Sequence, residues 1–426
     1  MRRRQGFTIV ELLVAMALII FIMSILSNAF IQATNTFRNL KALGDLAERL
    51  RSTTQGLQRD LTDDHFEGKK RLSDPNFWSN GPPSQGYFRI WQGSAGIPEG
   101  AGLDSIESYR SHDHALAFTV RRRGDQLGDF LSAGGGMATL SLTPTGVSPN
   151  FFGPAEARYQ TNAPNTYNYQ WGEVAWFLQP QFDPQTGVQD VAVDQTGLLT
   201  PTPLYTLFRR QRLLVPDNTA VTGPVPATLM SQFLEISCWK NGGNIYFNGP
   251  IDTTVPTRRF GMLRTSPAGI PNVPGYPTSM NPYPNVGYPS ISQQLPTPTL
   301  NGSDIQLTDV ISFDVRILTP GVTNGIDPFV TLWQAPFTTP STSGGINNGN
   351  PAFYPMLPTA PMVFDTWSNL EDGLANYSEW NIPGQASSIP LWNGTSGPLI
   401  QAIQISIRIW DAKTNQTRQV TIVQAM

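Results

Sequence analysis

Glu11 is a carboxylate placed one residue before a long apolar stretch. Residues 12 to 37 contain no Asp, Glu, Lys or Arg, and this span exceeds the ~20 residues that a helix needs to cross a bilayer. A carboxylate at the edge of the hydrocarbon is costly unless a cation pairs with it. The chemistry that this position predicts is therefore charge pairing, and Glu11 requires a cationic partner.

Two histidines, His112 and His114, lie two residues apart in the stretch SHDH, a spacing that could contribute to a metal site. No third ligand can be identified, because the only other histidine is His65, so we interpret both as solvated loop residues. The glycines of SAGGGMATLS lack the spacing of a dinucleotide- or phosphate-binding loop, and the acids of DGLANYSEWN match no defined calcium loop. The sequence therefore predicts no enzyme, no cofactor and no metal.

The composition is typical of a loop-rich protein with few charges. Charged residues make up 14% of the 426 residues, against roughly 25% in an average soluble domain, and there are 38 glycines and 37 prolines. A formal net charge of -3 leaves no basic surface beyond the N-terminus, which argues against nucleic acid as a partner. The single cysteine, Cys238, excludes an internal disulfide and is expected to be buried and unreactive.

The basic N-terminus, with Arg2, Arg3 and Arg4, predicts that the apolar stretch enters a membrane with its N-terminal flank in the cytoplasm. A secretory signal peptide cut after Ala29 and an uncut membrane anchor are both compatible with this pattern. Neither alternative explains the carboxylate of Glu11.

Gly6, Phe7, Thr8 and Glu11, followed by the apolar stretch, resemble the N-terminal signature of type IV prepilins and type II secretion pseudopilins. The resemblance implies that a prepilin peptidase cuts between Gly6 and Phe7 and methylates the new amine of Phe7. It also implies a role for Glu11 in assembly. Its carboxylate would be the counter-ion of that amine, either in the same chain or on a neighbouring subunit.

One long helix is predicted to carry this N-terminal segment. After Asn28, apolar residues recur mostly at three- and four-residue spacing with charged residues between them, and no proline occurs before Pro75. We therefore predict a helix from about Phe7 to about Asp63, whose second half buries an apolar stripe against a head domain. The predicted stripe comprises Phe30, Phe37, Leu40, Leu43, Leu46, Ala47, Leu50, Leu57 and Leu61.

The remainder of the sequence predicts strands and long loops. In LIQAIQISIRIW, from Leu399, isoleucines share one face and polar residues the other, and TRQVTIV, from Thr417, returns as the second strand of a hairpin. A long helix followed by strands predicts an α+β fold in which the helix packs on an antiparallel sheet. Five further predicted strands are ALAFTVR from Ala115, GEVAWFLQ from Gly172, LYTLFRRQRLLV from Leu204, VISFDVRIL from Val310 and FVTLW from Phe329.

The order of these strands resembles that of the J-type minor pseudopilins of type II secretion and the W-type minor pilins, and LQRDL, from Leu57, is also similar. K-type pseudopilins are a lesser option, because they usually lack the acid found here at Glu11. The resemblance implies a minor subunit in the tip or initiation complex of a pseudopilus. Its implied partners are the prepilin peptidase, other pseudopilin or pilin subunits, an inner-membrane assembly platform and the lipid bilayer. The alternatives are a minor pilin of a type IV pilus and a membrane-anchored surface or adhesive protein without prepilin processing.

The expected organisation is a leader at 1–6, a transmembrane segment at 7–31, an amphipathic continuation at 32–64 and a periplasmic or extracellular head at 65–426. Within the head, the proline-rich stretches 266–302 and 338–361 are expected to be surface insertions, because repeated prolines cannot form interior strands. The expected location is the bacterial inner membrane, in a single pass with the N-terminus in the cytoplasm, and later the pseudopilus or pilus.

Overall fold

A long N-terminal helix lies against an antiparallel sheet. In this computed structural model helix α1 spans Ile9–Thr62, 54 residues, in close agreement with the predicted helix. Short 3-10 helices of the described residues lie at Glu67–Lys69 and Asp252–Thr254. The structure describes residues 8–79, 83–92, 97–101, 107–112, 114–123, 130–133, 142–144, 167–183, 185–192, 202–217, 219–221, 225–226, 235–241, 244–254, 259, 305–320, 328–332, 362–366, 399–412 and 416–426.

The strands follow the helix along the chain, and eight of those described form one sheet. The described strands are β1 (Phe88–Gln92), β2 (Ile97–Ala101), β3 (Glu107–Arg110), β4 (Ala115–Arg121), β5 (Leu131–Ala133), β6 (Leu142–Pro144), β7 (Tyr167–Tyr169), β8 (Trp171–Pro180), β9 (Val191–Ala192), β10 (Thr202–Pro203), β11 (Tyr205–Leu213), β12 (Thr219–Val221), β13 (Val225–Pro226), β14 (Cys238–Asn241), β15 (Asn244–Phe247), β16 (Ile305–Leu318), β17 (Met362–Asp365), β18 (Ala402–Asp411) and β19 (Gln416–Ala425). The order of the eight-stranded sheet is β17-β1-β4-β8-β11-β16-β18-β19, with every neighbouring pair antiparallel. The remaining strands form small sheets of two or three strands.

The predicted α+β fold is confirmed. Strands β4, β8, β11, β16, β18 and β19 coincide with predicted strands, and β18 and β19 form the predicted hairpin in an unbroken antiparallel register. The isoleucines of β18 are buried, whereas Gln404, Ser406 and Arg408 on its other face are partly exposed. Period-2 alternation therefore identified both the strand and its wet face.

The predicted strand FVTLW is wrong. Val330 makes a single antiparallel bridge to Ile317, and the chain then turns at Leu332. Both apolar side chains are fully buried, but the backbone N–H of Leu332 donates to the side chain of Gln92 rather than to a strand. Apolar composition thus indicated burial correctly and strand pairing incorrectly.

Strands β1 and β17 were not predicted. Strand β1 has only five residues, and Arg89 interrupts its apolar pattern although that side chain is buried. Strand β17 has four residues and follows a proline-rich stretch. The proline-rich stretches 266–302 and 338–361, predicted as surface insertions, lie outside the described residues.

Only the last part of α1 packs on the sheet. Burial begins at Ala42 and continues through Leu46, Leu50, Leu57 and Leu61, as the predicted apolar stripe requires. The stripe was nevertheless predicted to begin too early, because Phe30, Phe37 and Leu40 are exposed, as is Ala47. This part of α1 contacts strands β19 and β16. The Thr53 hydroxyl donates to the carbonyl of Gln306 on β16.

A buried carboxylate fastens the end of α1 to the middle of the sheet. Asp60, on the buried face of the helix, is only 1% exposed. Arg209 on β11 donates two hydrogen bonds to it, from Nε to Oδ2 at 2.6 Å and from Nη2 to Oδ1 at 2.8 Å. The indole N–H of Trp176 on β8 donates to Oδ2 at 2.9 Å. We call these three residues the Asp60 clamp, and together they fix the helix on two adjacent central strands.

Next to the clamp, Asp63 caps the C-terminal end of α1. Burial, together with the nearby carboxylates of Asp60 and Asp64, raises the pKa of Asp63 to about 7. Arg122 Nε lies 3.1 Å from Asp63 Oδ2, but this contact lacks hydrogen-bond geometry. A carboxylate that titrates near neutral pH therefore lies where the helix ends against the sheet.

We expect Asp60→Asn to lower the free energy of unfolding by about 3 kcal/mol, because one partner of a buried ion pair would be left uncompensated. Urea unfolding of the full-length protein in detergent micelles, followed by tryptophan fluorescence, measures the loss. Asp45→Asn is the matched control, since Asp45 is exposed on the same helix, and it should change the free energy by less than about 0.5 kcal/mol. Equal stability of the two variants would rule out the clamp as the main attachment.

We expect Asp63 to make the head less stable as the pH rises. Its pKa is raised from an ordinary 3.8 to about 7, so its stabilising contribution is complete below the lower value and is lost as the pH passes the upper one. The free energy of unfolding of Asp63→Asn should therefore increase relative to that of the wild type between these values. A constant difference, or a decrease, would show that the Arg122 ion pair outweighs the burial.

Candidate functional site

The N-terminus of α1 is closed by a reciprocal capping box. Thr8 is the N-cap residue, and its hydroxyl oxygen accepts the backbone N–H of Glu11 at 3.3 Å. In return, Glu11 Oε2 accepts the backbone N–H of Thr8 at 2.9 Å and the Thr8 hydroxyl at 3.0 Å. This arrangement satisfies two backbone donors that a helix start would otherwise leave without partners.

The capping box uses one of the two oxygens of the Glu11 carboxylate. Oε1 accepts no hydrogen bond from the residues that the structure describes, and the side chain is exposed. Gly6 and Phe7, the predicted processing residues, lie outside the described residues. The carboxylate is thus held in place by Thr8 and keeps an oxygen for a further donor.

An apolar rod extends from this carboxylate. Large apolar side chains project from every side of α1 between Ile9 and Ile31, and those from Leu12 to Leu26 are 46% exposed or more. Among the described helices, α1 is long and apolar enough to cross a membrane. Exposure on all sides differs from an amphipathic helix, which buries one stripe on its own protein. The described part of the chain does not cover this segment, as fits a membrane anchor.

The histidines do not lie where they were predicted. His112 and His114 were interpreted as solvated, but they are only 4% and 3% exposed. The His112 ring stacks on Tyr205 with centroids 5.3 Å apart, and His114 Nδ1 accepts the backbone N–H of Val315 at 3.0 Å. The two histidines pack against Tyr205 at the start of β11 and against β16, so both side chains are interior rather than on the loop surface.

No group of three or more metal-ligating side chains occurs among the described residues. His65 is buried, and that burial lowers its pKa to about 4, which keeps the ring neutral. Cys238 is 1% exposed, so its predicted burial is confirmed, and that burial raises the pKa of its thiol to about 11, which disfavours the reactive thiolate. In the part of the chain that the structure describes, these groups fill the interior of the head.

Sequence reasoning identified Glu11 but missed the Thr8 cap beside it and the Asp60 clamp at the other end of α1. The spacing Thr-x-x-Glu before an apolar run is the pattern of a capping box, and it could have identified Thr8 as the N-cap. The Asp60 clamp has a weaker signal, an acid at a helical position that also carries leucines. Neither Trp176 nor Arg209 has a sequence feature that marks it as the partner of Asp60.

The N-terminal part of the chain matches a family model. The family model described as the prokaryotic N-terminal methylation motif matches residues 1–27, a range that includes Glu11 and most of the apolar rod. No curated protein and no solved structure matches the chain.

Proposed function

We propose that this chain, whose residues 1–27 carry the N-terminal methylation motif of prepilin-like proteins, is a minor pseudopilin of a type II secretion-like pseudopilus, in its tip or initiation complex. The observation that carries the proposal is the Glu11 carboxylate, held by Thr8 at the foot of an exposed apolar helix. Such a subunit acts by assembly rather than by catalysis. Its helix enters a fibre core, and its head determines which subunits it meets.

Processing would supply the cation that Glu11 lacks. Hydrolysis of the peptide bond between Gly6 and Phe7 releases residues 1–6 and leaves a charged amine on Phe7, one helical turn before Glu11. The methylation that the motif implies would add one methyl group to that amine. The unused oxygen of Glu11, Oε1, would accept a hydrogen bond from such an amine on a neighbouring subunit.

This pairing gives an assembly mechanism. A mature chain in the bilayer carries two opposite charges at one end of an apolar rod, and each is costly in hydrocarbon unless it is paired. If the amine of one subunit pairs with Glu11 of the next, both costs fall when the subunits associate with an axial stagger. Assembly would thus be favoured only in the register that brings the two charges together.

The proposed orientation follows from the flanking charges. Arg2, Arg3 and Arg4 would hold the leader in the cytoplasm, and the head that follows α1 would lie in the periplasm. The proposed boundaries are a leader at 1–6, a transmembrane segment at 7–31, a continuation at 32–64 and a head at 65–426. Peptidase, sister subunits and an inner-membrane assembly platform would be the partners.

A minor pilin of a type IV pilus is the second candidate, because the same motif occurs in both kinds of fibre. A membrane-anchored surface protein without processing is the candidate from a different class. The first is distinguished by the fibre that contains the protein, and the second by the state of the N-terminus.

We expect the protein purified from the membranes of its own host to begin at Phe7 and to carry one added methyl group. Mass spectrometry of the N-terminal peptide measures both changes. A chain that begins at Met1 would leave Glu11 without a new amine, and a chain that begins at Phe30 would lack Glu11 altogether. In either case the surface-protein alternative would replace the pseudopilin.

We expect Glu11→Gln and Glu11→Ala to insert and to be processed normally, but to enter fibres at least about tenfold less than the wild type, since an ion pair would be lost. Quantitative immunoblotting of sheared fibres against membranes measures the ratio. Glutamine can keep the capping box because its amide oxygen still accepts from Thr8, whereas alanine cannot.

The two Glu11 variants therefore separate charge pairing from helix capping. Normal incorporation of Glu11→Gln with loss of Glu11→Ala would mean that Glu11 acts as a cap only. Glu48→Gln, which removes an exposed acid from the same helix outside the apolar rod, is the matched control and should assemble normally.

A further inference from the structure

Between the apolar rod and the head, α1 has a free segment at residues 32–41. Phe37 is 70% exposed and Leu40 is 62% exposed, whereas the first helix residue buried by the head is Ala42. Arg38 and Lys41 form no hydrogen bond or ion pair with any residue that the structure describes. The described part of the head therefore does not cover this segment.

The length of the helix brings this segment to the membrane surface. If the hydrocarbon core begins at Leu12, ~30 Å of helix at ~1.5 Å per residue reaches Ile31. Arg38 then lies ~10 Å beyond the hydrocarbon. Side chains of a helix tilt toward its N-terminus, so the guanidinium of Arg38 points back toward the bilayer and into the headgroup layer.

The polar side chains just before Arg38 are suited to a zone where water is scarce. The Thr34 hydroxyl donates to the carbonyl of Phe30 at 2.8 Å, and the Thr36 hydroxyl donates to the carbonyl of Gln32 at 2.9 Å. Each hydroxyl is thus satisfied by its own helix and needs no water as an acceptor. Residues 30–36 can therefore lie in the interfacial layer without leaving these donors unpaired.

We propose that Phe37, Arg38, Leu40 and Lys41 form a collar that binds the anionic phospholipid headgroups of the outer leaflet and seats the head on the bilayer. The inference rests on the proposed membrane-spanning role of α1. Arg38 and Lys41 lie three residues apart on one side of the helix and supply two positive charges to lipid phosphates. Phe37 and Leu40, also three residues apart, insert between the headgroups, where exposed apolar groups are favoured over water.

The collar takes on a larger role after processing. Removal of residues 1–6 would take away Arg2, Arg3 and Arg4, the basic charges that hold the cytoplasmic end. The next basic residues along the chain are Arg38 and Lys41. The outer end of the helix would then hold the mature subunit at a defined depth, and the head, whose packing on α1 begins at Ala42, would rest on the membrane without a spacer.

Depth of the helix in vesicles tests the collar. A nitroxide on Asn35→Cys reports depth through its collisions with a water-soluble paramagnetic reagent, and Cys238 stays unlabelled because it is buried. The full-length protein is reconstituted in vesicles of phosphatidylcholine and in an equal mixture of phosphatidylcholine and phosphatidylglycerol. We expect the anionic vesicles to lower the collision rate about twofold or more, and high salt to reverse the change.

The variant Arg38→Gln/Lys41→Gln should abolish the difference between the two kinds of vesicle. The matched control is Arg49→Gln/Arg51→Gln, which removes two exposed basic charges from the same helix beyond the start of the head and should leave the difference intact. The collar would be overturned if both double variants changed the difference between the vesicles equally, or if the collision rate of the wild type were the same in both kinds of vesicle. Spin–spin broadening in both lipids would do so as well, because a neighbouring helix would then cover the segment.

Flotation of the vesicles tests the membrane-spanning role of α1 separately from the binding of headgroups by the collar. Protein that floats but shows no collar effect contradicts only the inference about headgroups. Protein that fails to float would contradict the membrane-spanning role as well, and with it the proposed pseudopilin.

Discussion

The fold depends on how one charge is buried at the junction of helix and sheet. Asp60 lies in the same apolar face as Leu57 and Leu61, where an unpaired carboxylate would oppose docking. The bidentate contact with Arg209 and the indole N–H of Trp176 satisfy it. Because these donors come from two adjacent strands, only one rotation and one translation of the helix satisfy all three bonds. Hydrophobic burial supplies the attraction, and the clamp supplies the register.

The carboxylates near the two ends of α1, Asp60 and Glu11, differ in how fully the described chain satisfies them. Asp60 finds its partners within its own chain, so that end of the helix is complete in a single subunit. Only one oxygen of the Glu11 carboxylate accepts hydrogen bonds, both from Thr8, and the apolar residues that follow are not buried by the described part of the chain. In the proposed subunit, the head would therefore satisfy the buried charge of Asp60 by itself, whereas the N-terminus would require other molecules.

Much of this architecture follows from periodicity, and the failures have physical causes. The helix and strands such as β18 were predicted because each buries one regular face, so spacing alone reports their packing. His112 and His114 were misplaced because burial of a polar ring depends on distant partners, here Tyr205 and Val315, that no local pattern encodes. Glu11 was recognisable since an acid beside hydrocarbon is locally anomalous. Asp60 was not recognisable, because it lies in a helical stretch that contains both apolar and charged residues.

The continuity of α1 has a mechanical consequence. A helix of 54 residues without proline transmits axial force along its hydrogen-bonded backbone, with no flexible joint to absorb it. A pull applied at the membrane end would therefore load the helix–sheet contact in shear, with the three hydrogen bonds at Asp60 near the far end of that contact. The contacts of the buried leucines and the hydrogen bonds of the Asp60 clamp would together resist sliding of the helix along the sheet. The helix and the head would therefore move together as one rigid unit.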